Sequence, residues 1–136
     1  MSSAVWDLQQ AVHATLAADT AVLALLGGAR VYDDVPRGAV FPYLSLAAFT
    51  ARDWATGTEP GTEISFAVHA WSRGAGHKGP NLIAEAVRAV LHDQALTLAD
   101  HRLVNLRHDS LETRRERDGD TYRVIARFRA VLEPAP

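Results

Sequence analysis

Apolar residues recur along the first stretch of the chain at three- and four-residue steps: Val5, Leu8, Val12 and Leu16, with Ala4 and Ala11 beside them. That spacing places one apolar stripe on one face of a helix, with Ser2 or Ser3 as its cap and Asp7 favoured at the positive N-terminal end. A second, short helix is predicted from a cap at Asp19 or Thr20 through Val22, Leu23, Leu25 and Leu26, stopping at Gly27-Gly28. Val31-Tyr32 then reads as extended, Asp33 to Gly38 as a turn, and Phe41-Pro42 as an extended entry to a strand at Tyr43.

The pattern next changes to short apolar runs, Tyr43 to Phe49 and Ile64 to Trp71, each opening into a polar, glycine-bearing loop. A third helix is predicted after Pro80, with a stripe of Leu82, Ile83, Ala86, Val87, Val90 and Leu91 and with Glu85 and Arg88 on the wet side. Leu96–Leu98 and Leu103–Leu106 are short strand candidates. Leu111–Arg117 and Thr121–Leu132 form a hairpin about Asp118-Gly119-Asp120, a turn expected to place both central positions at positive φ. On the return strand Tyr122, Val124, Ala126, Phe128, Ala130 and Leu132 share a core face, while Arg123, Ile125, Arg127, Arg129 and Val131 share the other. The order helix, helix, strands, helix, strands predicts a single α+β domain: an antiparallel or mixed sheet with two to three helices on one face and a C-terminal β-hairpin.

The two loops after the apolar runs stand out as candidate partner-binding segments. Thr50 to Glu63 is longer than an ordinary hairpin loop and carries Arg52, Asp53, Trp54 and Thr56; Ser72 to Gly79 carries Arg73, His77 and Lys78. The row Arg123, Ile125, Arg127 and Arg129 mixes cations with apolar residues, which suits a subunit interface better than open solvent.

Composition narrows the chemistry. The 136 residues fit one domain, and a net charge of −2 gives no general excess of positive charge for gripping nucleic acid. There is no cysteine, which removes disulfides and thiolate metal sites. The longest apolar run, Ala21 to Leu26, is far short of a membrane span, and no basic stretch leads into an apolar one, so a soluble intracellular protein with no membrane association is expected. Charge is uneven: residues 1–63 hold three arginines and seven acids, while residues 101–136 hold eight arginines and six acids. Such unlike halves suit head-to-side contact between identical subunits.

Gly74-Ala75-Gly76-His77-Lys78-Gly79 spells a dinucleotide fingerprint, with Asp100 where a ribose-binding acid would stand. The run before it alternates rather than being continuously apolar, and too little chain remains after it for further βαβ units. The six histidines include no helical i, i+4 pair, and Asp33-Asp34 and Asp118-Gly119-Asp120 are accounted for as turns. No nucleophile elbow or phosphate loop occurs, so no catalytic residue, metal or cofactor is assigned and the chain is read as a non-enzyme.

The ordered set of segments resembles the tail-terminator (tail-completion) family of long-tailed phages and gene transfer agents. The matching segments are Leu8-Gln9-Gln10-Ala11-Val12, Asp19, Arg30-Val31-Tyr32-Asp33 and Phe41-Pro42-Tyr43-Leu44-Ser45-Leu46. They continue with Trp71-Ser72-Arg73 before a glycine-rich loop, Ile83-Ala84-Glu85, Leu96-Thr97-Leu98, His101-Arg102-Leu103-Val104, Asp118 to Arg123 and Phe128-Arg129-Ala130. The resemblance spans residues 5–133 and implies a structural protein of the virion or phage-like particle, assembled in the bacterial cytoplasm and placed at the head-proximal end of the tail. It further implies a self-assembled ring, a hexamer, that ends the tail tube, meets the tail tube protein and the head-tail connector or stopper, and lets DNA pass in transit. The alternative within the same particle is a stopper or a tube subunit. No catalytic residues carry over.

Overall fold

The computed structural model describes residues 3–57, 59–74 and 76–135. Helices α1 (Ala4–Ala18) and α2 (Thr20–Leu26) lead into β1 (Val31–Tyr32), β2 (Tyr43–Asp53) and β3 (Thr62–Arg73). Helix α3 (Lys78–Leu91) precedes β4 (His101–Arg115) and β5 (Thr121–Pro134). The sheet order is β1-β2-β3-β5-β4, with β1 parallel to β2 and every other pair antiparallel. This is the α+β class expected, with the C-terminal hairpin in place.

Local chemistry sets the helix ends. Ser3 Oγ accepts the Trp6 N–H at 3.1 Å, and Asp19 Oδ2 accepts the Val22 N–H at 3.0 Å, each quenching an orphan donor of a first turn. Gly27, at φ +80°, closes α2 in the left-handed conformation that costs other residues more. In α3 the contact face is Pro80, Ile83, Ala84, Val87 and Leu91, while Ala86 and Val90 pack at its flank. Leu82, assigned to the stripe, instead lies 48 % exposed. One helical step from Ile83 turns a side chain through about 100°, and the sheet reaches only one side of the helix.

The core forms between the helices and one sheet face. Leu8, Val12 and Leu16 of α1, Val22 and Leu26 of α2, and the α3 face meet Leu44, Leu46, Ile64, Phe66, Val68, Val124, Ala126, Phe128, Ala130 and Leu132. Phe66 stacks on Phe49 at 5.0 Å and on Phe128 at 5.4 Å between ring centroids, a row of three rings that crosses β2, β3 and β5.

Three predicted details are corrected. Leu96–Leu98 forms no strand; Leu96 and Leu98 pack against the core from a loop. Leu103–Leu106 and Leu111–Arg115 belong to one fifteen-residue strand, β4, interrupted by bulges at Val104 and Asp109. Each bulge adds an unpaired residue and resets the alternation, so one strand reads as two in sequence. The β4–β5 turn places only Gly119 at positive φ, +73°, and not Asp118.

Asp118 acts instead through its side chain. Its carboxylate accepts the Asp120 N–H and the Thr121 N–H, both at 2.8 Å, and the Thr121 hydroxyl at 2.7 Å. These donors, the Asp120 N–H foremost, lower its pKa to about 2. A carboxyl-carbon NMR titration is expected to show Asp118 ionised until the pH nears 2. In Asp118→Ala the Asp120 and Thr121 amides are expected to exchange faster, and unchanged exchange would contradict this role.

Candidate assembly surfaces

The two candidate loops lie at opposite ends of the sheet. β3 runs from one to the other, so its twelve residues separate them by roughly 36 Å. A single continuous patch cannot include both.

At the first end, β2 and β3 continue past the core as a paired arm, with Thr50 opposite Ser65 and Asp53 opposite Thr62. The irregular part shrinks from the expected Thr50–Glu63 to residues 54–61, of which Thr58 lies outside the described residues. A bulge between Ala47 and Thr50, with Ala48 at φ +58°, sets the arm's departure. Arg52 pairs across the arm with Glu63 at 3.7 Å, and Asp53 Oδ1 accepts the Ala55 N–H at 3.1 Å. The Trp54 N–H bonds the Gly61 carbonyl at 2.9 Å, and the Thr56 N–H bonds that of Glu59 at 2.9 Å. A Cβ on Gly61 would stand 3.0 Å from the Trp54 carbonyl oxygen, so glycine permits this close approach. The Trp54 indole is 46 % exposed beyond any core contact.

At the opposite end the Ser72–Gly79 loop is tied to the β4–β5 turn by the Gly74 N–H to the Asp120 carbonyl, at 2.9 Å; Ala75 lies outside the described residues. Arg73 donates from Nε to Thr121 Oγ at 3.3 Å and lies 4.3 Å over the Phe41 ring. His77 meets the Tyr122 ring edge-on at 4.7 Å, and Lys78 is exposed in the first turn of α3. All three are exposed; Arg73 and His77 also make contacts within their own chain, while Lys78 presents itself outward.

Of the four residues assigned to a subunit interface, only Arg129 is exposed, on the sheet face away from the helices. Arg123 lies 4.7 Å over the Trp71 ring and pairs with Glu116 at 2.8 Å; Arg127 pairs with Glu112 at 3.0 Å. Ile125 is buried at 3 % exposure. Cross-strand neighbours thus cover most of this row: Trp71 lies opposite Arg123, and Glu112 lies opposite Ile125. Beside it Phe41, Tyr43 and Trp71 form a further aromatic row, with ring centroids 5.0 Å and 6.1 Å apart, and Trp71 Nε1 donates to Ser45 Oγ at 3.0 Å. His69 in this network has its pKa lowered by burial and then by Arg123 and Arg127.

The structure also brings out a residue that the sequence placed only by helix polarity. Asp7 is 1 % exposed. Its oxygens accept the Ala99 N–H at 3.0 Å, the Asp100 N–H at 2.9 Å and His101 Nδ1 at 2.8 Å, pinning α1 to the start of β4. Burial raises its pKa, but the bonds from His101, Asp100 and Ala99 outweigh this and leave it lowered.

The dinucleotide reading fails on topology. β3, which precedes Gly74–Gly79, is antiparallel to both neighbours, whereas the fingerprint needs a parallel βαβ unit. Among the described residues no three His, Asp or Glu side chains gather where they could share a metal ion, and no helix is long and apolar enough to cross a membrane.

Comparison with known proteins accounts for the same architecture. No curated protein matches the chain. A chain in a solved structure described as the virion of a native gene transfer agent particle superposes with a TM-score of 0.88 at 34% sequence identity, over 97% of this chain and 99% of that one. The family model for tail completion protein gp17 matches residues 10–133, from the middle of α1 to the end of β5. With a match over that length, this chain belongs to the tail completion protein gp17 family.

Proposed function

We propose that this protein completes the tail of a phage-like particle as a structural, non-catalytic part. Its copies form a ring, a hexamer, that ends the tail tube at its head-proximal end and joins it to the head-side connector, leaving a passage for DNA. The observation that carries this reading is the end-to-end likeness to a chain of a gene transfer agent virion.

The surfaces fit the reading. A part that joins two different structures needs two separate contact regions, and the Trp54 arm and the His77–Lys78 loop stand at opposite ends of β3. DNA in transit must not adhere, and phosphate contacts are what make DNA binding tight. Arg123 and Arg127 are already paired with carboxylates of the same chain, in keeping with a net charge of −2.

Trp54→Ala is expected to leave domain stability within about 0.5 kcal/mol, because the indole is half exposed. Loss of an interface anchor costs about 2 kcal/mol per contact, roughly a thirtyfold weakening. Thermal unfolding and a tail-joining assay separate the two effects; a large fall in melting temperature would show that Trp54 serves its own domain.

Deletion of the gene in a producing strain tests the reading as a whole. The expected result is heads and tails that remain unjoined until the gene is restored. Missing tails would indicate a tube subunit, intact tails beside leaking heads would indicate a stopper, and normal particles would overturn the proposal.

A further inference from the structure

The two lateral edges of the sheet differ in ways that suit them to each other. One edge strand, β1, is closed on its outer side where His13 Nε2 bonds the Val31 carbonyl at 2.9 Å. From it leads the segment 33–40, exposed along most of its length, with Asp33, Asp34, Val35 at 40 % exposure and Val40 at 59 %. Asp33 accepts a bond from Gln9 at 3.0 Å; among the described residues neither Asp33 nor Asp34 meets a cation.

The other edge strand, β4, is capped over only part of its outer side. The Asp93 N–H bonds the Leu106 carbonyl at 2.8 Å, and the His108 N–H bonds His92 Nδ1 at 2.9 Å. From Ser110 to Arg115 no other segment pairs with that side among the described residues. Leu111 there is 45 % exposed. Glu112 holds Arg114 and Arg127, and Glu116 holds Arg123. Arg115 spends Nε and Nη2 on the Gly119 carbonyl, at 2.9 Å and 2.7 Å. Among the described residues neither Arg115 nor Arg117 meets a carboxylate. Among the described residues, one edge therefore carries two acids that meet no cation, with Arg37 and two exposed valines beside them, and the other carries two arginines that meet no carboxylate, with an exposed leucine beside open backbone.

The two also lie at one level of the sheet. Tyr43, just past the 33–40 segment, is in register through Trp71 and Arg123 with Arg114. A neighbour related by rotation about an axis along the strands would bring the segment onto this edge without sliding. We propose that the 33–40 segment of one copy docks on the Leu111–Arg117 edge of a second copy, Val35 and Val40 against Leu111 and Asp33 and Asp34 against Arg115 and Arg117. Opposed unlike patches of this kind generate a closed ring when the rotation between copies closes, and an open filament when it does not, where a self-complementary patch would stop at a dimer. The interface rests on the ring reading and can fail without it.

The chain's lack of cysteine makes the test clean. Val35 and Leu111 are exposed, so Val35→Cys and Leu111→Cys leave the core untouched. Within one copy the two positions stand about four strand spacings apart, on the order of 19 Å, far beyond the reach of a disulfide. Particles are purified from hosts carrying each single variant or the double variant, oxidised, and resolved on a denaturing gel. Support is a ladder of covalent oligomers from the double variant and monomer from each single one. Position 35 linked to itself, position 111 linked to itself, or no link in particles that still show the ring would overturn this interface and leave the ring standing. A single copy of the chain per particle would overturn both.

Discussion

Asp7→Ala is expected to lower the free energy of unfolding by about 3 kcal/mol, equivalent to roughly a 10 °C fall in melting temperature for a domain of this size. The carboxylate is 1 % exposed and accepts from two backbone N–H groups and one imidazole. Alanine leaves those donors without a partner where water cannot replace it, and an unmade buried bond costs more than a made one contributes. Asp7→Asn keeps the shape and one acceptor oxygen, so its loss is expected to be smaller, about 1–2 kcal/mol. The sign of the pH effect comes from the lowered pKa. A carboxyl that binds its proton less readily when folded stabilises the fold above its unfolded pKa, near 4, and loses that contribution as the pH falls through the folded value. Urea unfolding of wild type and Asp7→Ala should therefore converge toward low pH. Parallel curves, or a loss under 1 kcal/mol near neutrality, would refute the role assigned to Asp7.

Phe66→Ala is expected to cost about 3–5 kcal/mol, because its ring is 2 % exposed and stacked on both sides, by Phe49 and Phe128. The cavity would open at the crossing of β2, β3 and β5, where backbone pairing on both flanks prevents collapse. Leu82→Ala is the matched control. It also removes a large apolar side chain, but from a 48 % exposed position, and is expected to cost less than about 1 kcal/mol. Denaturant unfolding of both variants checks the pair; a Phe66→Ala loss no larger than that of Leu82→Ala would show that the three-ring row is not central to the core.

Legibility in the sequence tracks the strength of its local signals. The α1 stripe, the Asp19 cap, the Gly27 stop and the inward face of β5 from Val124 to Leu132 all rest on sequence signals a few residues apart, and the structure has them as read, while Tyr122 at the head of that face is only half-buried and lies outside the core. The length of β4 was not legible, because bulges at Val104 and Asp109 interrupt the period on which a strand is recognised. Nor was the extent of the β2–β3 arm, since Arg52 and Asp53 favour strand only through their pairing with Glu63 and Thr62. The candidate surfaces divide in the same way. Trp54, His77 and Lys78 project as their loop positions suggest, but the neighbours that occupy Arg73, Arg123 and Arg127 come from strands distant in sequence. Asp7 shows this most sharply: its position near the helix N-terminus was readable, but its donors lie more than ninety residues away.

The family and the fold place this chain among tail completion proteins, and its surfaces, as proposed, give it two working ends and two unlike sides. A three-dimensional reconstruction of the intact particle tests that description most directly. The expected density is a closed ring of this α+β subunit where the tail tube meets the head-side connector, with an open axial passage and with the Trp54 arm and the His77–Lys78 loop turned toward different neighbours. The same subunit repeated along the tube, or found singly with both loops facing solvent, would contradict it.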